Sequence, residues 1–499
     1  MNYPAWDVPY IGGTWVIATI AIIHVLISHF AVGGGLFLPI AERKALREGR
    51  DDWIPLLKRH SRFFLVLTAA GGTVTGVGIW FAIGLANPEG TSALIHNFVF
   101  GWAIEWVFFL VEIAAAAVYY YTWGRVSNRV HLQVGWLYAV TSLLTLVIIN
   151  GILTFMLTPG PGWLEVAGTG QEASRFWQAF FNPTYWPSLL IRTLVCITLA
   201  GAYAFVTASL VKGADRAPLK ESFARWSARW MIPGFVLLPA ALGLYLAVLP
   251  PASRDLLLLG VDSAGAGAFT QVTRAVLFAI IGTATIFPIA FLLVWRDARD
   301  LKLGHAVAVL ALALLVTGAT EMAREMLRKP FVVREYMYSN GLRATEVVQG
   351  DALDKPYLDS SPWVRPEERQ AWAKSSSRSI HHMARGEMMF RGQCMSCHTR
   401  DGYRSTRKLL ANRDRNGVES ILVMLHEQPA DSPYNRFMPP LMGTEEEIAA
   451  LADYLYADST AARQAYLEEE GLTEPETAPE EQPEETQQPD PLTTLTPDE

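Results

Sequence analysis

Long apolar runs separated by short polar stretches fill the first two-thirds of the chain and stop near residue 328. A helix that crosses a membrane needs about 20 mostly apolar residues. Eight stretches meet that length: about 12–41, 62–86, 97–122, 132–157, 185–211, 230–250, 270–295 and 304–327. The pattern predicts an all-α architecture: a polytopic membrane helix bundle over 1–330, followed by polar sequence. Within the polar part, 331–376 reads as an outward-facing connector and 377–460 as a small all-α domain. Acids at Glu445, Glu446 and Glu447 ahead of apolar positions at helical spacing predict a terminal helix there, with Leu451 and Leu455 on one packing face. Residues 461–499 read as an acidic disordered tail: from Glu468 onward there are 12 acidic residues and no Lys or Arg. That tail accounts for much of the net charge of −7.

Charge placement orients the bundle. Arg43, Lys44, Arg47, Arg50, Lys58, Arg59 and Arg62 follow the first span, and further basic clusters follow the third (Arg125, Arg129), fifth (Lys212 to Arg229) and seventh (Arg296, Arg299, Lys302). The alternate loops hold only Arg175 and Arg254. Basic loops stay in the cytoplasm, so both termini are expected outside. No Lys or Arg precedes Arg43, so the first span lacks the basic start of a cleaved signal and reads as permanent. The expected location is the bacterial inner membrane, with lipid as a partner and no nucleic acid.

The polar domain carries Cys394-Met-Ser-Cys397-His398, a C-x-x-C-H run. That is the attachment signature of c-type haem: two thiols bond the porphyrin and the histidine takes the iron. Zinc would want four N/S ligands, and the remaining cysteine, Cys196, lies in an apolar stretch. A redox dithiol would not need the histidine. Met438 in Phe437-Met438-Pro439-Pro440 is the expected second axial ligand, with His381, His382 and His426 as alternatives; thioether and imidazole together suit electron transfer. Haem c is attached outside the inner membrane, in agreement with the charge argument. Residues 377–460 resemble a class I cytochrome c.

Ionisable groups inside spans cost about 2.5–3.5 kcal/mol each and tend to mark function. Here they are His24 and His29 on the first span, Glu105 and Glu112 on the third, and Glu321, Arg324, Glu325 and Arg328 at the outer end of the eighth. His24 and His29 lie about 140° apart around a helix and cannot face one iron. Glu105 and Glu112 share a face about 10 Å apart along the axis, a spacing that suits a two-step proton relay. The bland readings are interhelical hydrogen bonds for the histidines and interfacial ion pairs for Glu321 with Arg324. Gly33, Gly34, Gly35 and the Gly72-Thr73-Val74-Thr75-Gly76 run serve close packing or leave room for a porphyrin. His60, His131 and His305 sit near the cytoplasmic boundary, with no metal role expected.

His24-Val-Leu-Ile-Ser-His-Phe-Ala-Val-Gly33, Phe100-Gly101-Trp102-Ala103-Ile104-Glu105 and Glu325-Met-Leu-Arg328-Lys329-Pro330 resemble subunit I of cytochrome bd oxygen reductases over about residues 10–345. The resemblance implies two non-covalent haems, b and/or d, with His24 and Glu325 as iron ligands and Glu105 and Glu112 along a haem and a proton route. It also implies a second membrane subunit or a homodimer. Three departures stand out. The family's glutamates are eight apart, here seven. The stretch opened by Asn182-Pro183 has Ile191-Arg192-Thr193 where the family has a low-spin haem histidine. About twenty residues replace the long quinol-binding loop after the sixth span. The expectation is therefore a haem oxidoreductase, a cytochrome bd-like terminal oxidase or a relative. Electrons would come from a periplasmic carrier such as a cytochrome c through one covalent haem c, and the oxidant would be oxygen or another small molecule. The rival expectations are an electron-transfer subunit without oxygen reduction, and a membrane anchor for a lone cytochrome c. The roles of His29, Glu321 and Cys196 stay open at this stage.

Overall fold

The computed structural model describes residues 4–265, 271–348, 353–374 and 381–470. Eight helices are long and apolar enough to cross a membrane: span 1 Gly13–Glu48, span 2 Trp53–Ala86, span 3 Pro88–Tyr121, span 4 Asn128–Phe155, span 5 Tyr185–Ser209, span 6 Ala214–Val248, span 7 Gln271–Arg296 and span 8 Leu303–Arg328. Every expected span is present, and several helices run past the apolar run that predicted them. Span 2 begins at Trp53, where amphipathic spacing buries Trp53, Leu56, Leu57, His60 and Phe64. The hydropathy reading started it at 62 because the exposed face there carries Lys58, Arg59 and Arg62.

Span 1 is the axis of the bundle and packs against spans 2, 4, 5 and 8. Its glycines set those approaches. A Cβ on Gly33 would lie 1.9 Å from the Cys196 carbonyl oxygen, so spans 1 and 5 are in backbone contact. A Cβ on Gly34 would lie 2.1 Å from the Phe64 ring of span 2. These two glycines are close-packing residues. Cys196 is a fully buried filler beneath Gly33.

The basic-loop end of the bundle is knitted by polar groups that only packing brings together. His131 Nδ1 lies 2.8 Å from Glu42 Oε1, His131 Nε2 lies 2.9 Å from the Tyr119 carbonyl oxygen, and the Tyr119 hydroxyl donates to Glu42 Oε2 at 2.8 Å. His60 Nδ1 meets the Thr207 hydroxyl at 2.8 Å. Both histidines thus hold helices together, each with a polar partner for its burial. At the opposite end, Phe98, Phe155, Trp163, Phe180 and Tyr185 pack with Val332, Val333 and Tyr336. Those last residues belong to a two-stranded antiparallel hairpin, Phe331–Val333 with Met337–Tyr338, directly after span 8.

The polar domain has its own core. Helix His382–Met389 crosses helix Glu445–Glu470 at Gly386, where a Cβ would sit 2.2 Å from the Ala450 carbonyl oxygen. Leu451 and Leu455 are both buried in this core with Phe390, Val418, Leu422 and Leu441. The stretch expected as a connector is folded onto both neighbours: its start forms the hairpin, and Leu358 and Val364 join the core of the polar domain. The Glu447 carboxylate accepts from the backbone amides of Tyr357, Leu358 and Thr444 and pins that segment. The final helix continues to Glu470, ten residues into the expected tail. Its Ala- and Glu-rich sequence favours helix more than its charge opposes it. Residues 471–499 lie outside the described residues.

Candidate functional site

The polar domain rests its C-x-x-C-H loop where span 1 begins and span 8 ends. The Thr14 hydroxyl at the start of span 1 donates to the Ser396 carbonyl at 2.8 Å. The Tyr403 amide donates to the Tyr10 carbonyl at 2.6 Å, and the Trp15 and Tyr403 rings meet edge to face at 5.6 Å. Arg391 pairs with Asp7 at 3.6 Å. From span 8, Lys329 Nζ reaches Cys397 Sγ at 3.6 Å while holding Glu325 Oε1 at 3.2 Å and the Ser339 hydroxyl at 3.3 Å. One lysine therefore bridges the candidate haem-c loop and the candidate iron ligand in the membrane.

The donor set in the loop fits haem c. Cys394 and Cys397 are not joined to each other. His398 Nδ1 lies 3.0 Å from the Arg404 carbonyl oxygen. A carbonyl only accepts, so that nitrogen carries the hydrogen and Nε2 keeps the lone pair an iron needs. Burial holds the His398 imidazole below its ordinary range, towards the neutral form. Met438 packs against the same core as Cys394 and Met395. Two alternative ligands are committed elsewhere: His382 Nε2 to Asp453 at 2.7 Å, and His426 to the Leu441 carbonyl at 2.8 Å and Asp354 at 3.0 Å. His381 occupies the N-cap position of the helix that follows it, with no side-chain cap bond.

His24 faces span 2, where the helix widens into a π segment over Val66–Gly72. The Thr75 hydroxyl donates to the Gly71 carbonyl at 2.7 Å and lies 3.0 Å from His24 Nδ1. A hydroxyl already donating must accept from the ring, so Nε2 of His24 is left bare, as at His398. A Cβ on Gly76 would come within 3.2 Å of the His24 ring. The glycine run thus forms the seat of the imidazole, and π segments of this kind recur at functional sites.

Glu325 has both carboxylate oxygens engaged, Oε2 by Arg328 and Oε1 by Lys329. Each oxygen retains a lone pair, so these cations can stay while a metal binds. Four residues deeper, Glu321 pairs with Arg324 at 2.8 Å, and Arg192 of span 5 and His29 lie within electrostatic reach of Glu321. His29 points away from His24's partners; its Nδ1 returns to the Val25 carbonyl at 2.7 Å. On span 3, Glu112 is buried, faces Thr145 of span 4 and senses Glu105, as the shared helix face requires. Thr75 and Lys329 escaped the sequence reading. The signal for the first was the glycine run itself, and the second stands inside the Glu325-Met-Leu-Arg328-Lys329-Pro330 motif.

Comparison with known proteins bears on the membrane part of the chain. Residues 14–247 match the family described as cytochrome bd terminal oxidase subunit I. Among solved structures, the bd oxidase from Geobacillus thermodenitrificans superposes with a TM-score of 0.52 at 18% identity, covering 64% of this chain and 88% of that one. At that identity the likeness is one of fold. No curated protein matches the sequence. Residues 14–247 are thus similar to cytochrome bd oxidase subunit I by the family model, and the eight-helix bundle shares the fold of the solved bd oxidase.

Proposed function

We propose that this chain is a membrane-bound respiratory haem oxidoreductase that draws electrons from a periplasmic carrier at its own cytochrome c module and reduces oxygen or another small oxidant. The observation that carries the reading is the contact of Cys397 with Lys329 and, through it, with Glu325. It joins the loop that would hold haem c to the ligand end of span 8, with one side chain between them. The short segment between spans 6 and 7 leaves no long quinol loop, so an external carrier is the fitting source of electrons.

Cys394 and Cys397 would attach the haem c, with His398 and Met438 as axial ligands. His24 and Glu325 would hold two non-covalent haems, b and/or d. Bound haem supplies the one-electron and oxidant chemistry. The chain's own residues do the rest. Thr75 fixes the tautomer of His24, and Arg328 and Lys329 hold the Glu325 carboxylate in place. Glu105 and Glu112 would take up and pass protons along one face of span 3. The bundle would sit in the bacterial inner membrane with both termini and the cytochrome module outside, beside a second membrane subunit or a second copy.

Pyridine haemochrome analysis of the purified protein tests this directly. The expected inventory is one haem c together with b- or d-type haem, and carbon monoxide should bind the reduced non-covalent haem. Haem c alone would overturn the membrane-haem assignment. Non-covalent haem that never binds carbon monoxide would favour the electron-transfer subunit instead.

A further inference from the structure

The outer end of span 8 has more positive charge than its carboxylates can match. Arg192, Arg324, Arg328 and Lys329 face two partners, Glu321 and Glu325. Arg324 takes Glu321, while Arg328 and Lys329 share Glu325. Arg192 is left with the Ser188 hydroxyl at 3.4 Å as its hydrogen-bond partner. Tyr245, Cys196 and His29 complete its surroundings, and none of them is an anion at neutral pH. Arg324 Nη1 is buried without a hydrogen-bond partner. Four cations against two carboxylates leave a surplus of two among the described residues. Glu321 lies seven residues inside Arg328, about 10 Å deeper along the helix, where lipid rather than water meets the bundle. Arg192 has to share Glu321 with Arg324, and a guanidinium with only a shared counter-ion at that depth is costly.

Space remains beside these groups: Arg324 and Glu321 keep 25% and 21% of their side-chain surface open. Planar, two-pronged donors of this kind suit a carboxylate. We infer that Arg192 and Arg324 form a carboxylate-binding site whose ligand is a propionate of a non-covalent haem. Arg192 lies in the Ile191-Arg192-Thr193 stretch that takes the place of the haem-ligating histidine of the bd-type sequence, so here that stretch would hold the edge of a porphyrin rather than an iron. The inference rests on the membrane-haem reading above.

The test compares purified full-length wild type with Arg192→Gln, Arg192→Lys and Glu321→Gln. Haem c serves as the internal standard for non-covalent haem content, and redox titration follows the potential of that haem. Arg192→Gln should lose at least half of the non-covalent haem per haem c, and the remainder should titrate at lower potential. Arg192→Lys should restore content. Glu321→Gln removes a negative charge and should shift the potential upward, with haem retained. Should Arg192→Gln fail to accumulate, the Arg192→Lys and Glu321→Gln pair still decides: an unchanged potential in Glu321→Gln overturns the inference. Full haem content and an unchanged potential in Arg192→Gln also overturn it. A wild type without non-covalent haem would instead remove the underlying reading.

Discussion

Replacing Thr75 by valine keeps the volume of the side chain and removes the hydroxyl that orients His24. In the folded protein that hydroxyl accepts from His24 Nδ1 at 3.0 Å and donates to the Gly71 carbonyl at 2.7 Å. Valine leaves the ring N–H unpaired in a largely apolar setting, which costs about 1–3 kcal/mol. It also frees the imidazole to rotate or to shift its hydrogen to the nitrogen that should face the iron. A free-energy loss of about 1.4–2.8 kcal/mol is a 10- to 100-fold loss of affinity, the range expected when the partner of a metal-bound histidine is removed. The measurement is the ratio of non-covalent to covalent haem after purification under limiting haem, together with the rate at which an external haem acceptor strips the membrane haem. Thr75→Ser should behave like wild type, and His24→Ala should lose the haem that His24 holds. If Thr75→Val retains haem as tightly as wild type while His24→Ala loses it, the hydroxyl does not position the ligand. If His24→Ala keeps its full spectrum, the ligand assignment itself is wrong.

Three further perturbations probe other levels of the structure. Gly33→Ala puts a methyl 1.9 Å from the Cys196 carbonyl and must push spans 1 and 5 apart. A cost of roughly 1–3 kcal/mol or more should lower the temperature at which the detergent-solubilised protein loses monodispersity, and an unchanged transition would contradict the backbone contact. Asp458→Asn removes the carboxylate that Arg400 and Arg407 grip in the polar domain. Burial raises the acidity constant's pKa there, but the two arginines more than offset it and hold the group below its ordinary range. Its contribution is therefore complete above about pH 4 and lost as pH falls through the folded value. Both arginines can rehydrate, so circular dichroism melts should show about 1–2 kcal/mol between wild type and variant at pH 7, shrinking under acid; a gap that grows in acid would reverse the sign of the argument. Glu112→Gln keeps shape but carries no transferable proton. Oxidant consumption driven by a reduced cytochrome c should fall about 100-fold with haem spectra intact, and near-wild-type turnover would remove Glu112 from the proton route.

The C-x-x-C-H motif was legible in the sequence because its two thiols and a histidine fall within five residues of chain, the grouping that the proposed thioether attachment would demand. The spans were legible because a bilayer demands length and hydrophobicity from each helix separately. The seat of His24 was half legible: the glycine run was visible, but not that a π segment would turn Thr75 toward the ring. His60, His131 and Glu42 show the opposite limit. Each reads as an isolated polar residue near a membrane boundary, and only packing reveals that His131 and Glu42 are partners 89 residues apart.

What the sequence determined on its own, then, was everything set by local chemistry and by the solvent: eight apolar helices, the basic character of alternate loops, and a C-x-x-C-H loop in the polar part. What the tertiary structure decided was which of those pieces meet. Gly33 closes span 5 onto span 1, Arg192 is delivered to Glu321, and Lys329 spans from Glu325 to Cys397. Hydrophobic periodicity records that a face is buried and carries no address for the neighbour. Contacts between residues far apart in the chain are fixed only when helix packing selects one arrangement among many of similar hydrophobic content.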